Sequence, residues 1–223
     1  NESYSSILKI RRKVFEEVAR LAYEGNDYKK IDKLPYKIVN VNDKYRDSSF
    51  LERGIVAERL RLAVGLPLYD EYDHIAVSDG IEAAAIDEKF YEPPLVNIIN
   101  FACNACPTDS YYVSDVCEGC LAHPCKNVCP KNAISIVKGR SIINQDLCIK
   151  CGKCKSVCPY NAIVHRKRPC EAVCGMNAIE SDENGRAKIN YDKCVSCGMC
   201  LVNCPFGAIA DKSQIFQIIQ AIK

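Results

Sequence analysis

The chain has 223 residues, 48% of them apolar and 26% charged, with a formal net charge of +2. That is enough apolar material for one or two packed domains and too much for a disordered chain. The sequence contains no apolar run of the about 18 residues that a transmembrane helix needs, so no membrane partner is expected, and the small net charge gives no support for nucleic-acid binding.

The opening residues NESYSSILKIRRK lack the apolar core and the small-residue cleavage site of a secretory signal, and they lack a Met. We therefore expect a piece of a longer, cytoplasmic protein. Residues 4–23 read as an amphipathic helix, with Ile7, Ile10, Val14, Val18 and Leu21 on one face and Gly25 at its end. Arg11, Arg12 and Lys13 read as a solvated face, with a docking patch as the alternative. Residues 33–40 (KLPYKIVN) are expected to be extended. Ser49 and Glu52 fit a capping box opening a second helix that runs to Val64 and stops at Gly65. Residues 69–92 are acidic, with 81–90 as a third helix, and His74 is the only His before the cysteines. After Pro93 and Pro94, residues 95–101 (LVNIINF) read as a short strand or extended lead-in. These elements make residues 1–102 a mainly helical region.

All 16 cysteines fall in residues 103–204. Without a secretory signal, C-x-x-C-x-x-C runs point to thiolates holding metal in a reducing compartment rather than to disulfides. Cys148, Cys151, Cys154, Cys158 and Pro159 spell C-x-x-C-x-x-C-x-x-x-C-P, and Cys194, Cys197, Cys200, Cys204 and Pro205 spell it again. This is the ligand run of bacterial [4Fe-4S] ferredoxins, in which the fourth Cys serves the other cluster of a pair. Similar tails occur four times: Cys129-PKNAI, Cys158-PYNAI, Cys174-GMNAI and Cys204-PFGAI. Hairpins are expected at Lys138-Gly139 and at Asn184-Gly185, between the repeats of each pair.

Exchange of the fourth ligand gives cluster 1 Cys117, Cys120, Cys125 and Cys158. Cluster 2 takes Cys148, Cys151, Cys154 and Cys129, and cluster 3 takes Cys194, Cys197, Cys200 and Cys174. The third repeat is degenerate, with Val164 and Lys167 where cysteines should stand. Cys103, Cys106, Cys170 and Cys204 then form cluster 4, and no Cys is left over. Two alternatives stand beside this set: His165 as an imidazole ligand in the third repeat, and zinc bound by C-x-x-C pairs. His123, before Pro124 and Cys125, reads as a packing residue near a cluster. Four clusters, each with two negative charges, would bring the chain from +2 to about −6, so Arg166, Lys167 and Arg168 read as local charge compensation or as a steering patch. The fold class is α+β: a helical N-terminal region, then two tandem ferredoxin-like dicluster modules. The cysteine region is set at 103–210, with a first pair at 115–163, a second at 164–210 and a closing helix at 211–223.

Two stretches carry a resemblance to a family: CVSCGMCLVNCPFGAIADKSQIFQIIQAIK (194–223) and DVCEGCLAHPCKNVCPKNAISI (115–136). Together with YSSILKIRRKVFEEVARLAYEG (4–25), they resemble the N-terminal region of the ferredoxin-like subgroup of monomeric iron-only, or [FeFe], hydrogenases. The resemblance implies an electron relay to a C-terminal H-cluster domain of the same parent chain, fed by an external low-potential carrier such as ferredoxin. The H-cluster motifs of that family, of the TSCCP, MPC and CMACPGGC kind, are not in these 223 residues. This stretch is therefore expected to transfer electrons and to catalyse nothing by itself. A free-standing polyferredoxin, or a relay subunit of another oxidoreductase, is the alternative.

Overall fold

The structure, a computed structural model, describes residues 2–25, 27–40, 46–69, 75–85 and 92–223. The chain mixes helix and strand and divides into two compact units, residues 1–105 with 169–223, and residues 106–168. The sequence placed its cuts at 102/103 and 163/164. The observed partition instead joins residues 169–223 to residues 1–105.

In the discontinuous unit, α1 (Glu2–Glu24) buries Ile7, Val14, Val18 and Leu21 of the stripe its periodicity predicts, with Ile10 partly buried and Ala22 added to it. Residues 33–40 are not extended. A 3-10 turn (Tyr28–Lys33) leads into α2 (Leu34–Ile38). Pro35 lies in the first turn, where a missing N–H costs nothing, and burial of Leu34, Pro35 and Ile38 decides the conformation. The next helix, α3 (Ser49–Ala63), is capped one residue earlier than expected: Ser48 Oγ accepts from Leu51 N at 3.2 Å. Glu52 makes no capping box and instead pairs with Arg46 at 2.8 Å. Only α4 (Ile81–Ala84) is seen of the helix expected at 81–90; residues 86–91 and His74 lie outside the described residues.

The strands follow one scheme twice. β1 (Val96–Ile98) pairs antiparallel with β8 (Ile209–Asp211), and between them in sequence lies the hairpin of β6 (Ile179–Ser181) and β7 (Ala187–Ile189). In the 106–168 unit, β2 (Ser110–Val113) pairs antiparallel with β5 (Ile163–Arg166), enclosing the hairpin of β3 (Ile134–Val137) and β4 (Arg140–Ile143). Lys138 and Gly139 both have positive φ, 49° and 77°, as a two-residue hairpin turn requires. One-turn helices follow the cysteine loops: α5 (Pro124–Asn127), α6 (Lys153–Ser156), α7 (Pro169–Ala172) and α8 (Met199–Asn203). Finally α9 (Ile215–Ile222) returns to the helical core, where Phe216 is fully buried and Gln217 Nε2 donates to Val64 O (2.8 Å) and Ala84 O (2.9 Å). Among the described residues no helix is long and apolar enough to cross a membrane.

Candidate metal centres

Four C-x-x-C steps turn the same corner, those that open at Cys103, Cys117, Cys148 and Cys194. The residue before the second Cys is left-handed in each: Ala105 (φ 44°), Gly119 (57°), Lys150 (58°) and Ser196 (54°). For a non-glycine residue that conformation costs about 1–2 kcal/mol. It curls the backbone tightly between the two cysteines of each step. The Cys103–Cys106 step shares this turn although no regular run contains it.

The four tails also share a geometry. In each, the N–H four residues after the last Cys donates to that Cys sulfur: Ala133 to Cys129 (3.3 Å), Ala162 to Cys158 (3.4 Å), Ala178 to Cys174 (3.3 Å) and Ala208 to Cys204 (3.4 Å). The residue before each Ala is left-handed, namely Asn132, Asn161, Asn177 and Gly207. Asn and Gly tolerate that region best, which is why the repeated word reads NAI or GAI. An N–H aimed at sulfur favours the thiolate form.

Three cavities are walled by cysteines. The first, of about 330 Å³, is lined by Cys117, Cys120, Cys125 and Cys158 with Val113, Pro124, Pro159 and Ile163. The second, of about 350 Å³, is lined by Cys129, Cys148, Cys151 and Cys154 with Tyr111, Ile134 and Ile143. The third, of about 400 Å³, is lined by Cys174, Cys194, Cys197 and Cys200 with Val96, Ile179 and Ile189. The remaining walls mix Ala, Gly and Pro with larger side chains such as Tyr160, Ile149, Met176 and Met199, and no carboxylate but Glu118 borders any of the three. Four soft sulfur donors in an apolar bowl suit an iron–sulfur cube. Burial pushes the Cys200 thiol up to about 11 and the Cys154 thiol upward, whereas the Ser141 N–H draws Cys117 down. Ser141 Oγ also lies 3.3 Å from Cys125 Sγ. Tyr111 and Ser141 were missed in the sequence because each sits on a strand far in sequence from the cysteines it faces.

The remaining cysteines are placed less completely. Cys103 and Cys204 pack together against Ile55, Leu62, Ile99, Ala102, Ala208 and Ala210. Cys170 is buried in the adjoining apolar cluster, which Cys103 and Cys204 also touch. Cys103 Sγ accepts from Ala187 N at 3.4 Å. Cys106 belongs to the 106–168 unit.

His165 does not line a cysteine cavity among those described. It lies on β5, with Nε2 2.6 Å from Asp109 and its ring stacked on Tyr111 at 4.4 Å. His123 is left-handed (φ 40°) and its backbone carbonyl accepts from Lys126 and Asn127, so it shapes the start of α5. The basic triplet does not act as one patch: Arg166 stacks over Tyr112 at 3.6 Å, Lys167 is exposed and Arg168 is buried. Arg11, expected in solvent, pairs with Asp211 at 3.1 Å. Among the described residues, no three Cys, His, Asp or Glu side chains close on a point fit for a single metal ion.

Residues 147–208 match the 4Fe-4S dicluster domain family, and residues 117–167 match the LdpA Fe-S cluster-binding domain family. The chain binds iron–sulfur clusters. An uncharacterized ferredoxin of Methanocaldococcus jannaschii is 46% identical over 44 residues, which are 20% of this chain and 26% of that ferredoxin. The chain thus matches about a quarter of that relative's length. The dicluster match begins and ends on the two regularly spaced runs, 148–158 and 194–204.

Proposed function

We propose that the chain is an electron relay holding four [4Fe-4S] clusters in two ferredoxin-like dicluster modules. The observation that carries this reading is that three cavities are each lined by four cysteines, three from one repeat and one from its partner. In the proposal, Cys117, Cys120, Cys125 and Cys158 hold the first cluster. Cys148, Cys151, Cys154 and Cys129 hold the second, and Cys194, Cys197, Cys200 and Cys174 the third. Cys103, Cys170 and Cys204 hold the fourth, with Cys106 supplied by the C-x-x-C step. When bound, the clusters supply one-electron donor and acceptor states. The protein's part is to hold the thiolates, to aim the Ala133, Ala162, Ala178 and Ala208 N–H groups at sulfur, and to keep water off the apolar walls.

The words GMNAI, SCGMC and ADKSQIF support the relay portion of an [FeFe] hydrogenase as the parent. Its partners would be the H-cluster domain of the same chain and an external low-potential carrier, in the cytoplasm. The stretch of identity with a ferredoxin favours a second reading, a polyferredoxin or a relay subunit of another oxidoreductase. Iron and sulfide analysis of anaerobically reconstituted protein tests the common core of both. About 16 iron and 16 acid-labile sulfide per chain are expected. A ceiling near 12 removes the fourth cluster, and zinc without sulfide overturns the relay.

A further inference from the structure

The Cys204 tail differs from the other three in one residue. Where they carry Asn132, Asn161 and Asn177, it carries Gly207. The cause is on its outer side. A Cβ at 207 would stand 3.0 Å from Ile7 Cγ2 and 3.1 Å from Arg59 Nη2, so an Asn cannot be placed there without displacing them. Two arginines of the helical region donate into this tail: Arg59 Nη2 to the Gly207 carbonyl, and Arg46 Nη2 to the Phe206 carbonyl. No comparable side-chain donor reaches the Asn132, Asn161 or Asn177 carbonyls among the bonds described.

The charges around Arg59 do not cancel locally. Arg46 is paired with buried Glu52 at 2.8 Å, and Arg11 with Asp211 at 3.1 Å. Arg59 itself is 6% exposed and forms no ion pair with a carboxylate among the described residues. Burial, with Arg11 and Arg46 as cationic neighbours, lowers its pKa to about 10, while Asp211 and the Cys204 sulfur act in the opposite direction; the group stays charged at neutral pH. A lone buried guanidinium is costly unless an anion compensates it. A cluster with four thiolates is such an anion, with two negative charges when oxidised.

We propose that Arg59 is the counter-charge of the cluster on Cys204, and that it raises the reduction potential of that cluster relative to the same cluster without the cation. This rests on the assignment of a cluster to Cys204. The step concerned is the transfer of one electron from a reduced viologen mediator to the oxidised cluster, with no proton taken up. It adds one negative charge beside Arg59 and is favoured by the cation. Arg59 acts through the Cys204 tail and is a positioning and tuning residue, since it contacts the Gly207 carbonyl rather than a ligand.

The test is a mediated redox titration of the reconstituted full chain, read by electron paramagnetic resonance, with Cys204→Ser identifying the signal that depends on Cys204. Arg59→Gln keeps an N–H donor for the Gly207 carbonyl and removes the charge. Arg59→Lys keeps the charge. In Arg59→Gln the Cys204-dependent signal should titrate at a lower potential, with the other signals in place. In Arg59→Lys it should stay near the wild-type value. A chain that loses only this cluster in Arg59→Gln and keeps it in Arg59→Lys also supports the proposal. An unmoved signal in Arg59→Gln, an equal shift of all signals, or loss of the cluster in both variants overturns it. A wild-type chain with no Cys204-dependent signal overturns the fourth-cluster assignment itself, and the role of Arg59 with it.

Discussion

Helices α1, α3 and α9 close over a core running from Val14 and Val18 through Val56 and Leu60 to Phe216, all at most 2% exposed. Residues 106–168 bury a cluster of only Cys125, Ile134, Ile143, Cys154 and Ile163, and two of those five are proposed iron ligands. The first region meets the cost of ordering its chain by removing apolar surface from water. The second has too little apolar surface for that, as small domains generally do, and its missing core is the metal. The two regions of one chain should therefore respond to different insults.

Removal of iron is the largest. Anaerobic chelation should strip amide-exchange protection from the β3–β4 hairpin while the far-UV helix signal of α1 and α3 persists. Protection of the hairpin in the apo chain would show that its apolar cluster suffices, and the contrast would fail.

The cysteine motifs were legible because ligand geometry writes itself into sequence as fixed intervals, and three of the proposed ligand sets line cavities. Both hairpins were legible for the same reason, since Lys138-Gly139 and Asn184-Gly185 carry the turn in their own residues. Tertiary packing leaves no such mark. Residues 33–40 were read as extended because Pro35 usually ends a helix, and only the burial of Leu34 and Ile38 reverses that. Likewise nothing local announces that Arg59, on a helix with Glu52, Glu58 and Arg61 also buried, will reach a carbonyl 148 residues away. Arg11 was misread alike, its partner Asp211 lying 200 residues on.

A sharper comparison uses one glycine from each unit. Gly119 and Gly198 are both left-handed, at 57° and 76°. A Cβ on Gly119 would run into the Gly139 carbonyl at the hairpin turn, whereas a Cβ on Gly198 meets nothing within 4 Å. Gly198→Ala should cost only the backbone strain, about 1–2 kcal/mol, and leave iron content unchanged. Gly119→Ala should cost more than that and lose the iron proposed for the Cys117 cavity. Equal iron content in the two variants would show that the Gly119–Gly139 approach relaxes freely.

The smallest effect belongs to the helical core. Glu58 accepts from Tyr69 N at 3.1 Å, and burial raises its pKa from 4.5 to about 7. Because the folded pKa lies above the unfolded one, the folded chain holds this proton more tightly. Its contribution is full below about pH 4.5 and is lost as pH rises through about 7. Thermal unfolding of the helical core should thus weaken across that window, by on the order of 1 kcal/mol after solvent screening. Glu58→Gln should flatten the slope. A wild-type profile already flat between those values would remove Glu58 as its source.

The interrupted layout of the first unit has a consequence for the newborn chain. Residues 106–168 find every strand partner within themselves, so their sheet and hairpin can close as soon as β5 leaves the ribosome. Val96 must wait for Asp211, and the pocket between α1 and α3 must wait for Phe216. Translation thus completes residues 106–168 before the unit formed by residues 1–105 and 169–223 can close. Through that interval Cys103 is already made while Cys204, which packs in the same apolar cluster and is its partner in the proposed fourth site, is not.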